Sequence, residues 1–439
     1  MKPGTDRLDA VYDALVGDED GRVCKDIPDS ACTRLPGNFL RQLGAMALTK
    51  LGDALASPKT TLAWTLGALG APAWMVGLLV PVRESGSMLP QLFIAARVRA
   101  LPRRKPAWLL GAMLQAAAVA GMAAAAFWLD GAVAGAAILG LLVCFSLARG
   151  LSSIASKDVL GKTVPKTRRG RLAGYAASAS GAISLVVGGA LLWWGRDAGP
   201  ALLGGLLAAA AACWLLGSLV YSGIAEDPGS TEGGANGITE ALGKLRLLRD
   251  EPTFGRFVLA RALLLVSALS SPFLVLLARD HGMGGWDGLP LFLLAAGTAS
   301  LLSSPFWGRF ADRSSRHTMI AAGCVASAAA LGAIGADAWL AGGDAGGWVL
   351  VGLFFVLGIA HDGVRLGRKT YLVDLAGGNK RTDYVAVSNT AMGVLLLATG
   401  AITGAVGTAS VPAALAVLAG MGLAGAWLCR RLPEVQQAG

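Results

Sequence analysis

Charge is what this sequence has least of. Only 15% of its 439 residues are Asp, Glu, Lys or Arg, where a soluble domain carries about 25%. That is too little to coat a water-soluble body of this length. Histidine is nearly absent: His281, His317 and His361 stand far apart, and no HExxH pair or clustered carboxylate–histidine set occurs, so the common metal-centre patterns are missing. The six cysteines (Cys24, Cys32, Cys144, Cys213, Cys324 and Cys429) show no CxxC spacing. The last four lie in or beside apolar segments and are expected to be small packing residues. There is no GxxxxGK(S/T) phosphate loop and no GxSxG nucleophile turn. ATP-driven transport and enzyme chemistry are therefore not expected, nor is a cofactor. No basic stretch followed by an apolar core opens the chain, so no cleaved signal peptide is expected. Residues 1–37 read as a polar cytoplasmic tail.

Apolar residues are abundant, at 54%, and the mean hydropathy is +0.58. They fall in runs of roughly 20, long enough to cross a bilayer as helices. Ala, Leu and Gly dominate, and small residues let membrane helices approach closely. The expected class is an all-α polytopic membrane protein of twelve transmembrane helices. The spans are read at 39–65, 72–97, 107–129, 131–155, 172–194, 200–222, 254–279, 288–307, 318–338, 346–364, 384–406 and 410–429.

The basic residues are not spread evenly. Arg97, Arg99, Arg103, Arg104 and Lys105 follow the second span. Lys157, Lys162, Lys166, Arg168, Arg169 and Arg171 follow the fourth. Arg309, Arg313 and Arg316 follow the eighth, and Arg365, Arg368, Lys369, Lys380 and Arg381 the tenth. The intervening loops hold little beyond Arg196 and Arg279. Positive loops stay cytoplasmic, so both termini are expected inside, in an inner or plasma membrane. The net charge of +10 is then a topology signal, and nucleic-acid binding is not expected. The longest loop, 223–253, splits the chain into bundles at 38–222 and 254–430, with a short tail at 431–439. It opens with a Gly-rich stretch expected to be flexible. "ITEALGKLRLLRDE" follows, with the pattern of an amphipathic surface helix.

The two bundles repeat. A shift of 212 positions puts Arg97 on Arg309, Arg104 on Arg316, Lys157 on Lys369, Leu160 on Leu372, Arg169 on Arg381 and Gly181 on Gly393. Internal repeats with a site between them are typical of secondary transporters.

Within the eighth loop, "GRFADRSSRH" supplies Gly308, then Asp312 and Arg313, then Arg316 and His317. Set between the second and third spans of its half, this segment resembles the loop motif of the major facilitator superfamily (MFS). The resemblance covers about 37–430. It implies two pseudo-symmetric six-helix bundles, transport by alternating access, and a cytoplasmic gate involving Gly308, Asp312, Arg313 and Arg316. The first-half copy keeps only the basic cluster, with Ala96 and Ala100 at the Gly and Asp positions. The fifth span has Gly174, Gly181, Gly188 and Gly189 but lacks the Gly-Pro of the family's drug antiporters. Arg149 resembles the family's arginine in the fourth span, which is linked to proton transfer in several members.

Polar residues inside the spans form stripes. Arg83, Glu84, Ser87 and Gln91 share an arc of about 100° on the second span, as the helical period of 3.6 requires. Gln42, Thr49, Lys50, Asp53, Ser57, Thr60 and Thr61 share one on the first. Ser146, Arg149, Ser152, Ser153 and Ser156 share one on the fourth. A charge at the bilayer centre costs at least ~2.5–3.5 kcal/mol, so such groups face a wet cavity or each other. The resemblance places the first, second and fourth spans around a central cavity. Arg83, Glu84, Lys50, Asp53 and Arg149 are therefore expected to form one charged central site, with Lys50 and Asp53 paired three residues apart.

A carboxylate in a low-dielectric cavity takes up a proton more readily, so Asp53 or Glu84 is expected to couple transport to protons, with Na⁺ as the other candidate ion. The cation excess fits an anionic or zwitterionic solute. Ser87, Gln91, Ser388 and Asn389 are candidate solute contacts. Arg261 reads as an inner-end anchor and His361 as a solvated loop residue. Trp64, Trp128, Trp193, Trp194 and Trp286 read as interfacial anchors. The expected partners are a small-molecule substrate, protons and the lipid bilayer, with the chain functional as a monomer. A transporter-like sensor without net transport is the alternative, and a structural ion-pair lock is the alternative for the charged site.

Overall fold

Ala- and Leu-rich runs favour helix by propensity, and prolines and serines mark where the helices begin. Pro36, Pro106, Pro252 and Pro412 sit in the first turn of their helices, where a missing N–H costs nothing. Ser314 caps one more, and Ser410 caps the helix that Pro412 opens, by accepting the backbone N–H of His317 and Ala413. The computed structural model describes residues 12, 29–90, 94, 97–98, 100–194, 201–229, 231, 244–283, 288–340, 344–375 and 381–435. Its main helices are α1 (Leu35–Leu55), α2 (Thr61–Ala68), α3 (Ala73–Met88), α4 (Lys105–Trp128), α5 (Gly131–Thr163), α6 (Lys166–Trp194), α7 (Ala201–Ser222), α8 (Pro252–Leu263), α9 (Val266–Ala278), α10 (Gly288–Arg313), α11 (Ser315–Trp339), α12 (Asp344–Leu375), α13 (Arg381–Ala409) and α14 (Val411–Arg430). No strand occurs among the described residues.

Nine described helical segments are long and apolar enough to cross a membrane. The first, second and eighth expected spans fall short, each for a visible reason. The first carries Arg41, Lys50 and Asp53 within α1 and is parted from α2 at Ser57–Pro58, where proline cannot donate the next helical bond. The second carries Arg83 and Glu84 within sixteen helical residues. The eighth has an apolar portion only over Gly288–Ser303. The seventh span also has an interruption, at Leu264 and Leu265 between α8 and α9.

In the first half, α4 packs on α5 and α7, α1 on α6 and α7, and α3 on α5. In the second, α11 packs on α12 and α14, and α12 on α9 and α10. The halves meet where α3 lies along α13, where α6 lies along α10, and where α2 and α3 touch α9. The α3–α13 contact is close: a Cβ on Gly77 would stand 3.0 Å from the Gly404 Cα. Large apolar side chains such as Val133, Val186 and Leu219 point outward, as lipid-facing residues do. An apolar groove of about 990 Å³ on the outer face of α4 and α5 belongs to the same surface.

Each half ties the start of its third span to a carboxylate past the end of its sixth, the first half through backbone N–H groups and the second through side chains. Glu226, past the end of α7, is fully buried and accepts the backbone N–H of Arg104 (2.9 Å) and Lys105 (2.7 Å) at the start of α4, plus Lys162 Nζ at 3.0 Å. Glu434, past the end of α14, accepts the Ser314 hydroxyl (2.7 Å) at the start of α11 and pairs with Arg316 at 3.4 Å. A carboxylate at a helix N-terminus satisfies orphan donors and the dipole together. The opening of the central loop is therefore pinned: Gly229 donates to Pro102, and Asp227 accepts from Ser30 and Arg34. Of the expected surface helix, only Lys244–Arg246 and Leu247–Asp250 are described, as two short helical turns.

Cys213 and Cys429 are buried, whereas Cys144 and Cys324 are exposed on helix surfaces. Cys32 is disulfide-bonded, and Cys24 lies outside the described residues.

Candidate functional site

Three helices bring three charges together. Asp53 on α1 accepts from Arg83 on α3 at 2.7 Å, and from Arg149 on α5 at 2.6 and 2.7 Å. A single Arg149 nitrogen, Nη1, thus reaches both carboxylate oxygens, a charge-assisted contact. The Arg83 guanidinium also stacks 4.6 Å above the Phe145 ring, a cation–π contact.

Lys50 makes no ion pair with Asp53. It lines a cavity of about 260 Å³ inside the first half with Gln42, Thr49, Gln115, Arg149 and Ser153. Gln115 reaches Ser152 at 3.1 Å, and Gln42 reaches Thr163 at 3.2 Å.

Glu84 stands apart from this triad. Successive helical residues differ by about 100° in direction, so Arg83 turns toward α1 and α5 while Glu84 turns toward the second half. Glu84 lines a separate cavity of about 290 Å³ with Lys59, Arg261, His361, Arg365 and Arg368. The expected single charged site is therefore two sites, back to back on α3. Ser87 hydrogen-bonds the Glu84 carbonyl oxygen within its own helix at 2.8 Å. Gln91 lies outside the described residues.

The second half contributes more than its sequence suggested. Arg261, expected as an end anchor, is 6% exposed and faces the cavity. Its guanidinium donates to Ser388 Oγ (2.6 Å) and Asn389 Oδ1 (3.2 Å) on α13. Ser388 and Asn389 thus hold an arginine. His361, expected in a solvated loop, lies within α12 with its Nδ1 3.2 Å from Ser267 Oγ. Asp362 accepts from Ser303 at 2.8 Å and pairs with Arg365 at 2.9 Å.

The two ends of this cavity differ. At one end Trp64 is 1% exposed, not an interfacial anchor, and sits between the halves. Its ring lies 6.2 Å from Phe292, and Arg279 stacks on it at 4.8 Å while donating to its carbonyl oxygen at 3.4 Å. Toward the basic loops, Arg365 carries the cavity wall outward, with its side chain 60% exposed. Lys157 and Lys369 at that end are exposed as well. In the loop motif, a Cβ on Gly308 would meet nothing within 4 Å, so no close approach depends on this glycine here. Arg313 is exposed, and Arg316 donates to the Leu432 carbonyl at 3.0 Å. The Asp312 side chain lies outside the described residues. Trp128 and Trp193 are about four-fifths exposed (80% and 81%), as interfacial residues are; the Trp194 side chain and Trp286 lie outside the described residues.

In the sequence Lys59 stood without a role, Arg261 as an end anchor and Arg368 as a loop cation; the cavity takes all three. The Ser57–Pro58 break was the available signal for Lys59, since interrupted helices mark midplane sites.

No protein-family model and no curated protein sequence matches the chain. Solved structures match nearly its whole length. A D-xylose-proton symporter aligns with a TM-score of 0.68 at 14% identity, over 91% of this chain and 98% of that one. A POT family transporter, solved with 5-aminolevulinic acid, gives 0.65 at 13%, over 88% and 95%. The nucleoside transporter NupG gives 0.61 at 14%, over 90% and 99%. The basic-loop pattern, the internal repeat, the packing of two helical halves and these alignments agree: the chain has the fold of the major facilitator superfamily.

Proposed function

We propose that the protein is a secondary transporter moving a small solute across the inner or plasma membrane by alternating access. The observation that carries this reading is the 290 Å³ cavity between the halves. It is lined by charges from both, blocked at the Trp64–Phe292–Arg279 end, and continued outward by Arg365 at the other. With the basic loops cytoplasmic, this is an inward-facing arrangement. The broken first span, α3 and α10 complete twelve crossings in bundles at 38–222 and 254–430. Gly308, Asp312, Arg313 and Arg316 then lie at the gate that shuts when the cavity turns outward.

The coupling ion is the proton. Glu84 is its carrier, because its carboxylate borders the solute cavity and makes no ion pair among the described residues. Asp53, gripped by Arg83 and Arg149, ties the first, second and fourth spans into one body. Proton coupling in the D-xylose-proton symporter supports the same chemistry on the same fold.

The test is a comparison of metabolites inside and outside cells overproducing the wild type, Glu84→Gln, or nothing. The reading predicts that the wild type redistributes at least one solute, that discharging the proton gradient collapses the effect, and that Glu84→Gln loses accumulation. Profiles identical to the empty cells in a medium spanning sugars, nucleosides, peptides and organic acids would refute it.

A further inference from the structure

The cavity between the halves has an unbalanced charge. Lys59, Arg261, Arg365 and Arg368 line it, and among the described residues Glu84 is the one carboxylate that does. Asp362 answers Arg365 from behind at 2.9 Å. Four cations against two carboxylates leave two positive charges unmatched. Lys59, Arg261 and Arg368 make no ion pair among the described residues.

Arg261 is the most telling of these. It is 94% buried, being 6% exposed, and both hydrogen-bond partners of its terminal nitrogens, Ser388 and Asn389, are neutral. Its Nε is buried without a partner. Leaving a charged donor unmet in a dry interior costs several kcal/mol, and a guanidinium oriented by two hydrogen bonds is preset for an oxyanion. The position fits as well. Lys59 sits in the break of the first span and Arg261 one turn before the break of the seventh, the pseudo-equivalent helices of the two halves. The 212-residue shift sets the first break opposite Leu269 and Ser270, within two turns of the second, and interrupted helices in paired spans are where transporters of this architecture hold solutes.

We infer that the transported solute is a small dianion whose carboxylate or phosphate oxygens bind Lys59, Arg261 and Arg368; this rests on the transport reading above. The cavity volume of about 290 Å³ is at the lower end of small-molecule sites, which points to a metabolite of a few carbons. Lys59 comes from one half and the two arginines from the other. A dianion bridging them offsets the repulsion between these cations across the cavity, so binding favours closure.

The experiment uses the full-length protein in detergent at constant ionic strength, with thermal unfolding as the readout. The probes are succinate, inorganic phosphate and glycerol 3-phosphate, with glycerol and choline as neutral and cationic controls. The expected result is saturable stabilisation by at least one anion and by neither control. Arg368→Gln should raise the apparent Kd about tenfold or more, the loss of one charged hydrogen bond. Arg261→Gln should do the same, and Lys59→Gln provides an independent variant where the buried arginine is needed for folding. Succinate against glycerol 3-phosphate separates a carboxylate from a phosphate preference.

Stabilisation by none of the anions beyond a matched salt control, or stabilisation unchanged in Arg368→Gln and Lys59→Gln, would overturn the inference. Flux in proteoliposomes separates the two readings. Anion binding without flux removes the transport reading and keeps the site, whereas flux of a neutral solute without anion binding does the reverse.

Discussion

Asp53→Asn is the sharpest perturbation of the first half. The carboxylate is 23% exposed and accepts from two guanidinium groups at 2.6–2.7 Å. The substitution keeps the shape and removes the charge. Arg83, whose side chain is 9% exposed, is then left beside Arg149 with nothing between them. Removing one partner of a buried ion pair costs about 3–5 kcal/mol, mostly from the charge left behind. Unfolding entropy of ~2.1 cal/mol/K per residue gives roughly 0.9 kcal/mol/K for 439 residues. The melting point should therefore fall by about 3–5 °C, and by more if the helices stay inserted on unfolding.

The assay is thermal unfolding of the purified protein, run as a cycle with Arg83→Gln. The double variant removes the orphaned cation, so it should be more stable than the sum of the single losses predicts, by about 0.5–3 kcal/mol. A melting point equal to wild type for Asp53→Asn, or strictly additive losses in the cycle, would refute the account of the triad as the tie between α1, α3 and α5.

Three other outcomes are expected. Glu84→Gln should abolish proton-driven accumulation while leaving solute exchange between preloaded vesicles intact, since exchange needs no net proton movement. Trp64→Ala should cost about 3–5 kcal/mol as a large buried ring is lost, which thermal unfolding of the variant against wild type would show. Glu226→Gln should destabilise by about 1–3 kcal/mol, because it weakens a buried cap and leaves Lys162 without its nearer partner; Glu434→Gln, 33% exposed, should cost less, as paired melting curves of the two variants would show.

Much of the fold was legible because bilayer physics leaves few options. Apolar length marked the nine segments that are long and apolar enough to cross a membrane, and the 212-residue shift pointed to two helical halves. Asp53 and Arg149 were also readable, since charged residues in an apolar helix must meet something. What the pattern could not give was direction. Arg83 and Glu84 are neighbours in sequence, and a 100° turn sends them to different cavities. Nor could helical period tell that Ser388 and Asn389 would hold Arg261 and leave Lys59 and Arg368 facing the cavity. Arg261 and His361 looked peripheral because they lie toward expected span ends, whereas α12 runs on to Leu375 and Arg261 turns inward to α13. Glu226 sat in a stretch whose glycines suggested flexibility. Its role depends on the N-terminus of α4, a contact across more than 100 residues.

The central claim is that one cavity opens alternately to the two sides, and distances between spin labels test it most directly. Lys157→Cys with Lys369→Cys reports the basic-loop end, and Ala68→Cys with Ala409→Cys reports the Trp64 end. In a background without the native cysteines, the account predicts that a bound solute shortens the first distance and lengthens the second. A single distance at each end, unchanged by any solute and by pH, would contradict it.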